Sequence, residues 1–122
     1  FGLKYLKQIC DEINEVPITL FAKGAWYAYE ELAQLSCNTI GVDWNTLPSL
    51  AREFVGESKT LQGNLDPCLL YSSNDVIISS TKDMLTSFGP QKYIANLGHG
   101  VYPDTDPKKV KLFIDTIKNF KF

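Results

Sequence analysis

"KYIANLGHGVYPDTDPKKVKLFIDTIKNF" occupies residues 92–120 and reads as one complete folding unit. Tyr93 to Leu97 form a short apolar run of strand length, and a glycine-bearing loop follows at Gly98, His99 and Gly100. Asp106 then stands where a helix N-cap belongs. Pro107 fills the first helical position, where no N–H is needed. Val110, Phe113, Ile114, Ile117 and Phe120 recur at helical spacing and form one apolar stripe. Strand, loop and helix in that order make a βα unit.

The same order recurs three times upstream. "PITLFA" (17–22) leads to "AWYAYEELAQL", and "NTIGVDW" (38–44) leads to "LPSLAREFV". "KTLQGNL" (59–65) leads through "DPCLLYSS", where Asp66 and Pro67 repeat the cap, to "NDVIISSTKDMLTSF". Gly56 and Gly89 follow two of the predicted helices as C-terminal stops. Ahead of all four units, "GLKYLKQICDEI" is a helix of its own, with Leu3, Leu6, Ile9 and Ile13 as its stripe. Strands alternating with helices imply a parallel sheet, either open and doubly wound or closed as a barrel.

Polar strand residues favour the barrel. Ile40 and Val42 alternate with Gly41 and Asp43; Leu61 and Leu65 alternate with Gln62 and Asn64; Ala95 and Leu97 alternate with Ile94 and Asn96. In an open sheet helices cover both faces, and such polar side chains would be costly to bury. In a barrel the second face points into the lumen, whose C-terminal mouth holds active sites. The expected fold is therefore α/β: four parallel βα units, half of a (β/α)8 barrel. Such a half has two open strand edges, which must pair with something.

Length and composition agree with one domain over residues 1–122. No run is long and apolar enough to span a membrane, and no signal or transit segment is recognisable. The chain begins at Phe1, without methionine and already in helical register, which predicts an excised piece of a longer protein. Cys10, Cys37 and Cys68 are odd in number and lack metal-ligand spacing, so a reducing compartment is the simplest expectation. Basic residues number 12, and all are lysine except Arg52. Nothing in the charge balance points to nucleic acid.

His99 is the lone histidine and follows the fourth strand at the presumed mouth. It reads either as a hydrogen-bonding or proton-transferring group near a substrate, or as a loop histidine held by backbone partners. Asp43, Asn64 and Asn96 are candidate pocket-lining residues, with loop-ordering as the competing role. Lys23 ends the first strand and can meet an anion. Phe21, Trp26, Trp44, Tyr71 and Tyr102 lie near strand ends, able to line a flat pocket or simply to pack. A phosphate site is disfavoured, because Asp66 and Asp106 occupy the helix N-termini that would receive the anion. One histidine and scattered cysteines do not make a metal site. No P-loop, dinucleotide fingerprint or nucleophile elbow is present.

"LFAKGAWYAYEELAQL", "IGVDW", "TLQGNLDPCLLY", "FGP" and "YIANLGHGVYPDTDP" together resemble the C-terminal half of the uroporphyrinogen decarboxylase family, in order and without large gaps. The resemblance implies a single-domain (β/α)8 barrel, a homodimer with facing mouths, and no metal or organic cofactor. It implies removal of carboxyl groups from the four acetate arms of uroporphyrinogen, giving coproporphyrinogen in haem biosynthesis, with a cytoplasmic or plastid location for the parent protein. His99 matches the family's substrate-contacting histidine, and its glycine neighbours are expected to let the ring reach a bulky macrocycle. The family's pyrrole-binding aspartate, its arginine-rich segment and its tyrosine and serine contacts would all precede Phe1. On that reading no catalytic residue lies in this chain, and the chain alone binds substrate poorly and does not turn it over. Two other readings keep the barrel: a silent half-barrel that self-associates or binds a partner, and a related zinc methyltransferase. The second is disfavoured because no cysteine stands near His99.

Overall fold

The computed structural model describes residues 2–122. The chain runs α1 (Leu3–Glu12), β1 (Thr19–Phe21), α2 (Tyr29–Ala33), β2 (Thr39–Gly41) and α3 (Pro48–Val55). It continues through β3 (Thr60–Leu65), α4 (Asn74–Phe88), β4 (Tyr93–Leu97) and α5 (Pro107–Asn119). Tight 3-10 turns at Trp26–Ala28 and Pro67–Tyr71 precede α2 and α4. The four strands form one sheet in the order β1-β2-β3-β4, with every neighbouring pair parallel. All four carboxyl ends therefore lie on one rim, as the alternation of strands and helices predicts.

One face of the sheet carries the core. Leu20, Ile40, Val42, Leu61 and Leu65 are buried against Leu32, Ala51, Ile77, Leu85 and Phe113 from the helices. Phe88, closing α4, stacks on Tyr93, with ring centroids 4.2 Å apart and planes 9° from parallel. The other face is open at both edges. Phe21 on β1 and Ile94 on β4 are each nearly half exposed, at 47% and 45%. Burial alternates along these edge strands, with the second, lumenal face left uncovered.

Helix ends follow local chemistry. The Asp106 carboxylate accepts from Lys108 N–H at 2.9 Å, and the Asp66 carboxylate accepts from Cys68 N–H at 2.8 Å. Gly56 and Gly89 end α3 and α4 at φ +73°. Two expectations change. The first helix buries Cys10 rather than Ile9 and Ile13, which are 52% and 41% exposed. The helix turns Leu3, Leu6 and Cys10 toward the core, and the larger apolar residues flank that line. The segment after β1 is a 3-10 turn followed by a five-residue α2, much shorter than its amphipathic pattern predicts.

Candidate functional site

The rim where the strands end is built around Asp43. Its carboxylate is 1% exposed and accepts from Gly24 N–H at 2.6 Å, Asn45 N–H at 3.1 Å and the Thr46 hydroxyl at 3.4 Å. Gly24 belongs to the loop after β1; Asn45 and Thr46 belong to the loop after β2. Asn64, near the end of β3, donates from Nδ2 to the carbonyls of Asp43 (3.0 Å) and Thr46 (2.7 Å). The loop after β4 joins through Gly98, whose N–H donates to Leu65 O at 2.7 Å. A Cβ on Gly98 would stand 2.5 Å from Trp44 N and 3.1 Å from Asn64 O, so only glycine allows that approach. Three loops, after β1, β2 and β4, are thereby fixed to one another and to the end of β3.

His99 stands on this locked rim. Its ring lies 6.2 Å from Phe21 and 5.9 Å from Trp44, edge-on to the indole at 85°. Its imidazole nitrogens bond to no other group among the described residues. The ring lines a cleft of about 300 Å³ with Phe21, Gly41, Gln62, Asn96 and Gly100. A second groove of about 460 Å³ runs from His99 along β4 to Val110, Ile114 and Ile117 of α5. Lys23, at the tip of β1, holds its ammonium 5.0 Å from the centre of the Trp44 indole. Trp44 thus has an imidazole roughly perpendicular to it and a cation over its ring.

The candidates from the sequence separate. Asn96 is exposed and lines both clefts with His99. Asp43 and Asn64, weighed both as pocket-lining and as loop-ordering residues, line neither cleft beside His99: each is buried and bonded to neighbouring loops, and Asn64 borders instead a separate cleft with Trp44, Thr46 and Asp66. Their competing role, ordering the loops, is the one the structure gives them. Bonds from Asp43 to Gly24 span 19 residues and those from Asn64 span 18 and 21, so no local pattern announces them. The glycines around His99 also divide. Gly98 is needed for loop packing, whereas the space around Gly100 is open to 4 Å and leaves room for a ligand. Phe21 and Trp44 join the site; Trp26 packs on Tyr27, and Tyr71 faces Tyr102 at 6.3 Å. The Tyr71 hydroxyl donates to Asp104 at 2.5 Å, and the carboxylate so bonded raises the phenol's pKa.

Arg52 does not belong to this rim. Its guanidinium donates to the carbonyls of Gly56, Lys59 and Lys92, each at 3.0 Å, where β3 and β4 begin. No group of three His, Cys, Asp or Glu side chains able to hold a metal ion occurs among the described residues. No helix among them is long and apolar enough to cross a membrane.

A family model described as uroporphyrinogen decarboxylase matches residues 1–120. The uroporphyrinogen decarboxylase of Homo sapiens is 46% identical over 126 aligned residues, covering 96% of this chain and 34% of that protein. That of Salinibacter ruber is 43% identical, covering 96% of this chain and 34% of the relative. The chain thus spans about a third of the length of these curated relatives. Among solved structures, a methyltransferase from Methanosarcina mazei superposes with a TM-score of 0.83 at 20% identity, covering 98% of this chain and 36% of that one. At that identity the likeness concerns the fold alone.

Proposed function

Since the chain belongs to the uroporphyrinogen decarboxylase family, we propose that it forms the C-terminal half of a (β/α)8 barrel whose mouth decarboxylates the acetate arms of uroporphyrinogen. The parent protein is then a cofactor-free carboxy-lyase of porphyrin biosynthesis, a homodimer in the cytoplasm or a plastid. The observation that carries the reading is His99: an exposed imidazole without a hydrogen-bond partner among the described residues, flanked by two aromatic rings on a rim that three loops and the end of β3 hold together. A ring so presented is pre-organised to meet a ligand.

In the reaction a pyrrole protonated on carbon serves as electron sink. The bond between the acetate methylene and its carboxylate breaks, carbon dioxide leaves, and the electron pair passes into the pyrrole. A proton then adds to the methylene carbon to complete the methyl group, and the proton first placed on the ring carbon leaves to restore the pyrrole, so that one proton is consumed overall. Alignment of the breaking bond with the ring system is therefore a positioning task. Its fixed rim and flat aromatic flanks suit His99 to holding a carboxylate or pyrrole edge rather than to supplying the proton.

The test uses the full-length human relative with its matching third replaced by this chain. His99→Asn in that protein is expected to raise KM or change the pattern of partly decarboxylated products, with kcat retained within about threefold. Loss of the chemical step with binding intact would overturn the positioning role.

A second reading rests on the unpaired edges of β1 and β4 and the exposed Phe21 and Ile94 between them. Two copies paired edge to edge would close a parallel eight-stranded barrel. Sedimentation of the chain alone distinguishes a self-associating half-barrel from one completed only by further sequence.

A further inference from the structure

The substrate proposed above is a polyanion, and the structure restricts which cations of this chain can meet it. Arg52 is bonded to three carbonyls where the strands begin. Lys59 donates to Leu35 O and Cys37 O, and Lys92 to Glu57 O and Ser58 O, at that same end. Lys109 is held by Ser72 O and Asn74 Oδ1 on the outer surface. Lys7 and Lys111 pair with carboxylates four residues along their own helices. Lys4, Lys82, Lys108 and Lys118 stand on helices, Lys118 where the groove reaches α5, and Lys121 follows α5. Lys23 differs from all of these in standing on the loop after β1, against the indole that His99 touches. It is exposed, it makes no hydrogen bond or ion pair among the described residues, and it shares the Trp44 indole with His99.

Three features hold Lys23 in place. Its neighbour Gly24 is anchored through its N–H to the buried Asp43 carboxylate at 2.6 Å. Phe21, two residues before it on β1, is in ring contact with His99. The indole face steadies the ammonium without consuming its hydrogen bonds, because a cation over an aromatic ring keeps its N–H donors. An ammonium braced by an aromatic ring on the same rim as His99, with no hydrogen bond or ion pair among the described residues, is a ready partner for a carboxylate.

Resting on the proposed function, we infer that Lys23 is a substrate-binding residue: its ammonium takes a carboxylate of an acidic side arm while His99 meets the same macrocycle. The residue sets affinity for the charged arms and plays no part in bond cleavage.

The experiment compares wild type, Lys23→Gln and Lys23→Arg in the full-length chimera, reading KM, kcat and the binding of coproporphyrin, a tetracarboxylate. Lys23→Gln is expected to raise KM and weaken coproporphyrin binding about tenfold, the scale of one exposed charge-assisted hydrogen bond, with kcat unchanged. Lys23→Arg is expected to restore most of both. Added salt should weaken binding more steeply in wild type than in Lys23→Gln, a response that a merely structural lysine would not give. Turnover with a KM indifferent to Lys23→Gln would overturn the assignment and leave the proposed function standing. Porphyrin binding that depends on Lys23 without any turnover would do the reverse. A wild-type protein that neither binds porphyrin nor turns over would remove both.

Discussion

Where the strands begin, cations hold carbonyls; where they finish, a buried carboxylate and an amide hold N–H groups and carbonyls, and a cation and an imidazole are left unbonded. At the first rim Arg52, Lys59 and Lys92 reach seven carbonyl oxygens between them, tying the starts of β2, β3 and β4. At the second, Asp43 and Asn64 tie the loops after β1 and β2 to the end of β3, and Gly98 brings in the loop after β4. Both rims are rigid. They differ in what remains free to meet another molecule: nothing charged at the first among these three residues, Lys23 and His99 at the second. Conserving geometry and presenting chemistry are thus assigned to opposite ends of the same strands.

The sharpest way to break the comparison is at Gly98. Gly98→Val would drive a side chain into the backbone of Trp44 and Asn64, atoms that cannot rotate aside. The expected cost is about 3 kcal/mol of stability, toward the upper end for overpacking. Any folded fraction should have lost the His99 geometry, because the loop after β4 must move. Thermal melting together with porphyrin binding checks this. Gly100→Ala is the control, since its surroundings are open, and it should leave stability almost unchanged.

Arg52→Ala tests the other end. It strips three carbonyls of a charged donor at once, at an expected cost of about 2 kcal/mol, reduced because water reaches part of the site. Arg52→Lys should recover little, since one ammonium cannot reproduce the planar fork. Binding at the opposite rim should be unaffected in the folded protein. A change in porphyrin affinity with stability preserved would mean the two rims are not separable in the way described.

Much of this arrangement was legible in the sequence, and the exceptions share a cause. Asp106 before Pro107, the glycine stops at Gly56 and Gly89, and the strand runs are local signals, and the structure realises each of them. His99 and Asn96 were legible because position after or at the end of β4 puts them on the rim. Asp43 and Asn64 were placed on the correct rim, and of the two roles weighed for them the loop-ordering one is realised: Asp43 accepts from Asn45 N–H and the Thr46 hydroxyl, while its bond to Gly24 was not foreseen. Alternation gives the face of a strand residue but not what lies across from it: Asp43 stands two residues beyond β2, and Asn64 is inside β3, in register with Asn96. The bonds of Asp43 to Gly24 and of Asn64 to Asp43 and Thr46 reach across about twenty residues, and that of Arg52 to Lys92 across 40, and nothing in a single sequence encodes such a pairing. Cys10 was missed as the buried member of α1 because Ile9 and Ile13 are more apolar, and a stripe of spacing does not say which flank meets the core.

The smallest effect expected at neutral pH concerns the tie between the two rims. Tyr93 begins β4, stacks on Phe88 and donates its hydroxyl to the Gly63 carbonyl further along β3. Burial raises the pKa of this phenol above the ordinary tyrosine value of 10.0. Below that value the group is protonated in both folded and unfolded chains, so pH does not alter its contribution. Above it the unfolded phenol ionises while the folded one keeps its proton, and stability falls as pH rises, by at most about 1.4 kcal/mol per pH unit for this group. Tyr29, also raised by burial, adds in the same direction. Tyr93→Phe should therefore cost about 1 kcal/mol at pH 7, through the lost hydrogen bond, yet flatten the decline in melting temperature between pH 10 and 11. A decline as steep in the variant as in wild type would mean that the phenol is open to water and that β3 and β4 are less tightly joined than their stacked rings indicate.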